Sequence, residues 1–238
     1  MAIMNLVFVI LMIHHIHGLD VVQNEIDGKV YTISMEKTTQ SDAVKSCKNS
    51  GGKLYEPKDA KTYDKVVKFA ERNGVTDFWL GIKVREGKSV YQSDNNPLGW
   101  KIFGYGHPKF ECVFGKKKSS SSSYHMWYSQ LCSSHEHYVC ESCPSNLYIH
   151  SKNSLLEGTY TRISSTSSTF YWAQVDGPGT IKLNDYDIWV IEGGADFIKS
   201  SERIYCPNEA KKWEIWQNNS FISYNDLYIN LLKPGNIY

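Results

Sequence analysis

The sequence predicts an α+β domain over residues 27–141, followed by an all-β domain, sandwich or barrel-like, over residues 143–238. Three observations lead there. Up to Glu141 the periodicities run strand, helix, helix, then several short strands. Beyond Cys143 the helical spacing fades, and β-branched and aromatic runs alternate with turn residues. Six cysteines, an even number, are spread over both parts, so disulfides are the default in an oxidising compartment.

The first element is a leader. Asn5–Ile13 (NLVFVILMI) is apolar but too short to span a bilayer as a helix, and it ends in HHIHG. Residues 1–18 therefore read as a secretory signal peptide, although no Lys or Arg precedes the apolar run. His14, His15 and His17 would leave with it. No later run has the length and apolarity of a transmembrane segment, so the product is expected to be soluble, secreted and extracellular. KVYTIS (Lys29–Ser34) alternates like a half-buried strand. In TTQSDAVKSCKN, Thr39 and Ser41 offer caps, Ala43, Val44 and Cys47 share a helical face, and Gly51-Gly52 stops the helix. In DAKTYDKVVKFAERNG, Tyr63, Val66, Val67 and Ala70 recur at helical spacing between Asp59 and Gly74. FWLGI, SVYQS, ECVFG, MWYSQ and EHYVC read as short strands, as do TYTRI, TFYWAQV, TIKL, DIWVIEG, KWEIWQ and SFISY beyond them.

Charge and motif content exclude several functions. A formal net charge of +1 argues against a nucleic-acid partner, which needs a strongly basic face. GKKKSSSSS (Gly115–Ser123) is best read as a solvated hairpin tip, with a basic docking site for anionic glycans as its alternative. DGPGT (Asp176–Thr180) is a turn without the Lys and following helix of a phosphate loop. No G-x-S-x-G or H-E-x-x-H pattern occurs, and nothing recommends an enzyme; a zinc hydrolase built on His125, His135 and His137 is the poor third choice. Asn218-Asn219-Ser220 is a glycosylation sequon, so Asn218 is an expected glycan site. Trp172, Trp189, Trp213 and Trp216 are read as the core of the second domain rather than as a sugar-stacking face.

Trp79–Ile82 (WLGI) follows two helices. Then come Glu86–Asp94 (EGKSVYQSD), Leu98, Trp100, Cys112-Val113, Trp127, Cys132 and Tyr138-Val139-Cys140-Glu141. This ordered set resembles the C-type lectin-like domain over residues 27–141, about half the chain; the second domain resembles no family we recognise. Parity alone allows fifteen pairings of six cysteines. The resemblance implies Cys47 with Cys140 and Cys112 with Cys132, leaving Cys143 to pair with Cys206. The C-x-x-C of HEHYVCESC is then the last cysteine of one domain and the first of the next. Zinc or redox chemistry there would orphan Cys47 and Cys206.

Sugar-binding members of the family hold calcium through a Glu-Pro-Asn or Gln-Pro-Asp triplet, a Glu before the next cysteine, and an Asn-Asp pair after the tryptophan. Here Gly106-His107-Pro108-Lys109 falls on the triplet, keeping only the proline. Phe110 stands at the Glu position, with Glu111 a candidate only through a register slip, and Tyr128-Ser129 replace the Asn-Asp pair. Calcium needs several hard oxygen donors and a lysine ammonium repels it, so no calcium, other metal or cofactor is expected. Tyr105, His107, Lys109 and Tyr128 remain as candidates for a calcium-independent patch, while Trp100 and Trp127 are read as core. The expected function is secreted recognition of an extracellular glycan or protein. The alternative is a protein-binding immune effector scaffold with no carbohydrate affinity; the sequence sets no oligomeric state.

Overall fold

The computed structural model describes residues 21–117, 125–152, 155–164, 170–186, 188–193, 196–202 and 205–231. The expected signal peptide and the tip of the lysine–serine segment (118–124) lie outside the described residues.

The chain enters an antiparallel hairpin, β1 (Val21–Ile26) and β2 (Lys29–Thr38). Its two-residue turn, Asp27-Gly28, has positive φ at both positions, as the right-handed twist of a tight hairpin requires. The first paired strand thus begins upstream of residue 27, in a segment whose short alternation carries no clear signal. Helix α1 (Gln40–Asn49) starts at Thr39, whose hydroxyl accepts the Asp42 N–H. After β3 (Gly52–Leu54), helix α2 (Ala60–Arg72) starts at Asp59, whose carboxylate accepts the Thr62 N–H at 2.8 Å. Then come β4 (Asp77–Arg85), β5 (Lys88–Tyr91), β6 (Cys112–Lys117), β7 (His125–Gln130) and β8 (Glu136–Ser142). These form one sheet in the order β1-β2-β8-β4-β6-β7, with β3 on β8 and β5 on β4; β4 and β8 run parallel and the other pairs antiparallel.

Strand alternation distributes the core to both faces of this sheet. Phe78, Leu80 and Ile82 of β4 join Tyr63, Val66, Val67, Phe69 and Ala70 of α2. Trp79, between them, joins Ala43 and Cys47 of α1. Trp127 is fully buried, as expected of a core residue, whereas Trp100 is only partly buried and packs against the core at 5.0 Å from Trp127.

The remaining strands are β9 (Asn146–Ser151), β10 (Gly158–Ser164), β11 (Phe170–Gln174), β12 (Thr180–Leu183), β13 (Trp189–Gly193), β14 (Asp196–Ser200), β15 (Trp213–Gln217), β16 (Ser220–Ser223) and β17 (Leu227–Leu231). Each pairs antiparallel with the next from β9 to β16, and β17 returns to β9, giving one nine-stranded sheet rather than two. Flat, such a sheet would hold its edge strands about 38 Å apart. Yet only three residues separate β16 from β17, a reach of at most about 14 Å. The sheet therefore curls until its edges approach, which fits the barrel-like alternative. Trp172, Trp189 and Trp213 fill its interior together with Cys143–Cys206. Trp216 is the exception to the expected core: it is 47% exposed. Its parity on β15 is opposite to that of the buried Trp213 and Ile215.

All three disulfides have the expected partners: Cys47–Cys140, Cys112–Cys132 and Cys143–Cys206, with Cα separations of 5.3, 5.2 and 5.4 Å. Among the described residues no helix is long and apolar enough to cross a membrane.

Among the described residues the core holds one histidine. His125 is buried against Phe78; its Nε2 donates to the Thr76 carbonyl at 2.8 Å and its Nδ1 accepts the Tyr63 hydroxyl at 2.6 Å. Desolvation lowers its pKa below the ordinary histidine value. The unfolded chain therefore takes up this proton first, near pH 6.5. The contribution is complete above that pH and lost as pH falls toward the folded-state value, at no more than about 1.4 kcal/mol per pH unit. Urea titrations at pH 7.5 and 5 are expected to show this loss in the wild type and a smaller one in His125→Gln. An unchanged pH dependence in the variant would assign the loss elsewhere.

Candidate functional site

The segment between β5 and β6 is laid on β7 by backbone bonds. The Trp127 N–H donates to the Ile102 carbonyl at 2.9 Å, and the Gly104 N–H to the Trp127 carbonyl at 2.8 Å. A Cβ on Gly104 would lie 2.5 Å from the Tyr128 ring, so only glycine lets the loop close against that side chain. The His107 N–H then returns to the Gly104 carbonyl, which throws Tyr105 out as a fully exposed tip. The His107-Pro108 peptide is cis.

Ser129, buried on β7, organises the rest of the loop. Its hydroxyl oxygen accepts the Lys109 N–H at 2.6 Å and the Phe110 N–H at 3.0 Å. Those two bonds occupy its lone pairs, leaving its proton for His107 Nδ1, 3.1 Å away. The Ser129 N–H also donates to Nδ1, at 3.2 Å. Nδ1 is thus an acceptor, the imidazole proton sits on Nε2, and Nε2–H is the donor left for a ligand. The His107 ring stands edge-on to Tyr128 at 5.1 Å, and Tyr128 leans on Phe114 at 6.0 Å.

His107, Tyr128, Ser129, Gln130, Phe114, Lys116 and Lys117 line a surface cavity of about 360 Å³. Of the four residues expected from sequence, the structure brings His107 and Tyr128 together here. Lys109 lies beside Gly106 on the loop, without an acidic partner among the described residues, and Tyr105 projects alone. Lys116 and Lys117 are partly neutralised by Asp77 at 3.5 Å and Glu71 at 3.0 Å. From sequence Ser129 stands only as a lost calcium ligand. Its part as the hub of the loop arises from partners about twenty residues away and leaves no local signal.

The oxygen inventory around the loop is poor. Glu111, the one nearby carboxylate in sequence, turns to Lys83 on β4 at 3.2 Å, and the Ser129 hydroxyl is fully engaged. Such a donor set does not fit a calcium ion, which takes six to eight oxygens, several of them carboxylate. The three histidines of the hydrolase alternative do not converge: His125 is in the core, His137 Nδ1 lies against the Ser34 carbonyl, and His135 is exposed. Among the described residues no three His, Cys, Asp or Glu side chains are placed to hold a metal.

Residues 36–142 match the Lectin C-type domain family. These residues form a C-type lectin-like domain. Collectin-10 of Xenopus tropicalis is 30% identical over 122 residues, which are 49% of this chain and 43% of the collectin. The chain thus spans less than half the length of the curated relative it matches. Among solved structures, human lithostathine is 20% identical with a TM-score of 0.46, covering 51% of this chain and 97% of that one. The C-type lectin domain of murine dendritic cell inhibitory receptor 2, solved in complex with an N-glycan, is 15% identical with the same TM-score, covering 51% and 96%. The matched lectin domain contains the whole His107–Ser129 network, and the match ends at Ser142, shortly before β9 begins at Asn146.

Proposed function

We propose that this chain is a secreted, non-enzymatic recognition protein. Its lectin domain would hold an extracellular glycan at the His107–Tyr128 cavity without calcium. One observation carries the reading: the Ser129 hydroxyl bonds to the His107 imidazole and to the loop N–H groups of Lys109 and Phe110, where a calcium-dependent lectin would present free oxygens. The loop is fixed by that network, so the side chains it displays are held in place before a ligand arrives. Tyr128 offers an aromatic face for the C–H side of a sugar ring, His107 a directed N–H, and Lys109 a positive charge for an acidic substituent. Three disulfides and the apolar leader support export.

A glycan array run with and without chelator tests this. Binding is expected to survive chelation. It should fall about tenfold or more in Tyr128→Ala, the loss of a single stacking and contact group. Ser129→Ala, which leaves two loop N–H groups without their acceptor, should weaken binding by loosening the loop. Binding abolished by chelator would overturn the calcium-independent reading. A blank array with a captured protein partner sensitive to Tyr105→Ala would replace the glycan by a protein, since the fully exposed Tyr105 suits a protein contact.

A further inference from the structure

An uncovered aromatic patch lies at the β15–β16 end of the C-terminal sheet. On β15, Trp213 and Ile215 point into the core, so Glu214 and Trp216 face out. Trp216 sits directly across from Phe221 on β16, with ring centroids 4.8 Å apart. Phe197 of β14, also exposed, extends the patch at 6.1 Å from Phe221. Lys199 closes its far side, with Nζ 3.8 Å from the Phe221 ring centroid and 3.3 Å from Glu214. Among the described residues β16 is also a sheet edge, and Ile222 on it is 45% exposed. An exposed apolar edge strand is a template for unwanted pairing.

The turn beside this patch is the sequon. Gln217 pairs with Ser220, and Asn218 and Asn219 form the two-residue link, with φ of 51° and 60°. Asparagine tolerates that left-handed geometry better than other side chains. Asn218 is exposed, and its amide has no hydrogen-bond partner among the described residues. No other Asn-x-Ser/Thr occurs in the 238 residues. Trp216 and Phe221 are therefore the outward aromatic pair next to the chain's single sequon.

We propose that Asn218 carries an N-linked glycan whose first sugars lie on the Trp216–Phe221 patch and shield the β16 edge. The donor would be a lipid-linked oligosaccharide pyrophosphate. The Asn218 amide nitrogen bonds to its anomeric carbon while the anomeric C–O bond breaks. The lipid pyrophosphate leaves with that electron pair, and the amide gives up one proton. The C–H faces of the first sugars then cover aromatic surface that otherwise meets water. A branched, hydrated chain at the hairpin tip also bars a second strand from adding to β16.

The inference rests on the secretory route proposed above but not on the ligand cavity, so the glycan array and a map of the glycosylated chain fail separately. For that map, the full chain is recovered from the medium of secreting eukaryotic cells and its peptides are weighed before and after enzymatic removal of N-glycans. One glycan at Asn218 is expected, absent from Asn218→Gln and Ser220→Ala. Stripping it should speed oxidation of Trp216 by N-bromosuccinimide about twofold or more, as an aromatic face is uncovered. It should also lower the unfolding midpoint by about 2–4 °C. In Trp216→Ser the midpoint shift on stripping should vanish. A secreted chain with unmodified Asn218 would overturn the inference while leaving secretion standing. Equal Trp216 oxidation in glycosylated and stripped chains would overturn the seating of the glycan on the patch.

Discussion

Lys53→Met is expected to destabilise the chain by roughly 3–5 kcal/mol in urea denaturation at neutral pH, the loss typical of removing one partner from a buried ionic group. Lys53 leaves β3 between two buried carboxylates. Its Nζ is 2.6 Å from Glu56, and 3.2 Å from Glu141 in an ion pair outside hydrogen-bond geometry. Burial opposes its charge, and the Glu141 and Glu56 carboxylates outweigh that burial, so its pKa lies above the ordinary lysine value. Methionine keeps most of the volume and removes the charge. Glu56 would retain Lys58 at 3.5 Å and the Ser93 N–H and hydroxyl, both at 2.8 Å. Glu141 would retain only Lys29, at 3.9 Å. The effect should reach the second sheet. The Lys53 ammonium lies 4.7 Å from the centroid of the Tyr205 ring, and the Tyr205 hydroxyl donates to the Glu141 carbonyl at 3.1 Å. Lys29 also pairs with Glu209 at 3.0 Å, and Asn208 donates to the Gly28 carbonyl. Adding Glu141→Gln to Lys53→Met should recover part of the loss, because the stranded charge is then gone. By contrast Lys68→Met, which breaks an exposed pair with Asp64, should move the midpoint little. A loss below about 1 kcal/mol for Lys53→Met would show that the surrounding lysines suffice.

The features legible in the sequence are local ones. Thr39 and Asp59 announce helix starts within three residues, and the observed caps are those two. The residue types at the aligned calcium positions are equally local, because His107, Lys109, Tyr128 and Ser129 are read directly from the sequence. Strands β3, β9, β14 and β17 carry too little pattern to stand out; β3 is three residues long behind a Gly51-Gly52 stop. Trp216 departs from the expected core because the period-two parity of WEIWQ outweighs the general tendency of large aromatics to be buried. The Ser129 hub and the Lys53 cluster are invisible in sequence because their partners meet only through folding: Glu141 and Tyr205 are 64 residues apart in the chain.

A second long-range residue of this kind decides how the site loop is started, and Gln40→Leu is expected to cost roughly 3 kcal/mol. Strands β4 and β6 pair Trp79 with Phe114 and then Lys83 with Cys112, so two extra residues on β4 interrupt the ladder. Gly81, inside that interruption, approaches so closely that a Cβ would lie 2.7 Å from the Leu54 carbonyl oxygen. The carbonyls stranded there are met by one buried side chain from the start of α1. Gln40 Nε2 donates to Leu80 at 2.9 Å and Ile82 at 3.2 Å, with Val113 at 3.4 Å. Leucine fills the same space and donates nothing, which leaves two buried carbonyls unsatisfied at about 1–3 kcal/mol each. The loss is moderated because Gln40 Oε1 is itself buried without a partner, and that oxygen disappears too. Gln40→Glu should be worse at neutral pH, as a carboxylate would face carbonyl oxygens, and should recover in acid when its protonated form can donate. The interruption ends at Cys112, where β6 begins and the Cys112–Cys132 bridge is attached, immediately after the loop that carries His107. Gln40→Leu should therefore loosen the loop that carries His107 as well as the fold, read as faster amide exchange at Lys109 and Phe110. A loss below about 1 kcal/mol with unchanged exchange would mean that water or a shifted strand serves those carbonyls equally well.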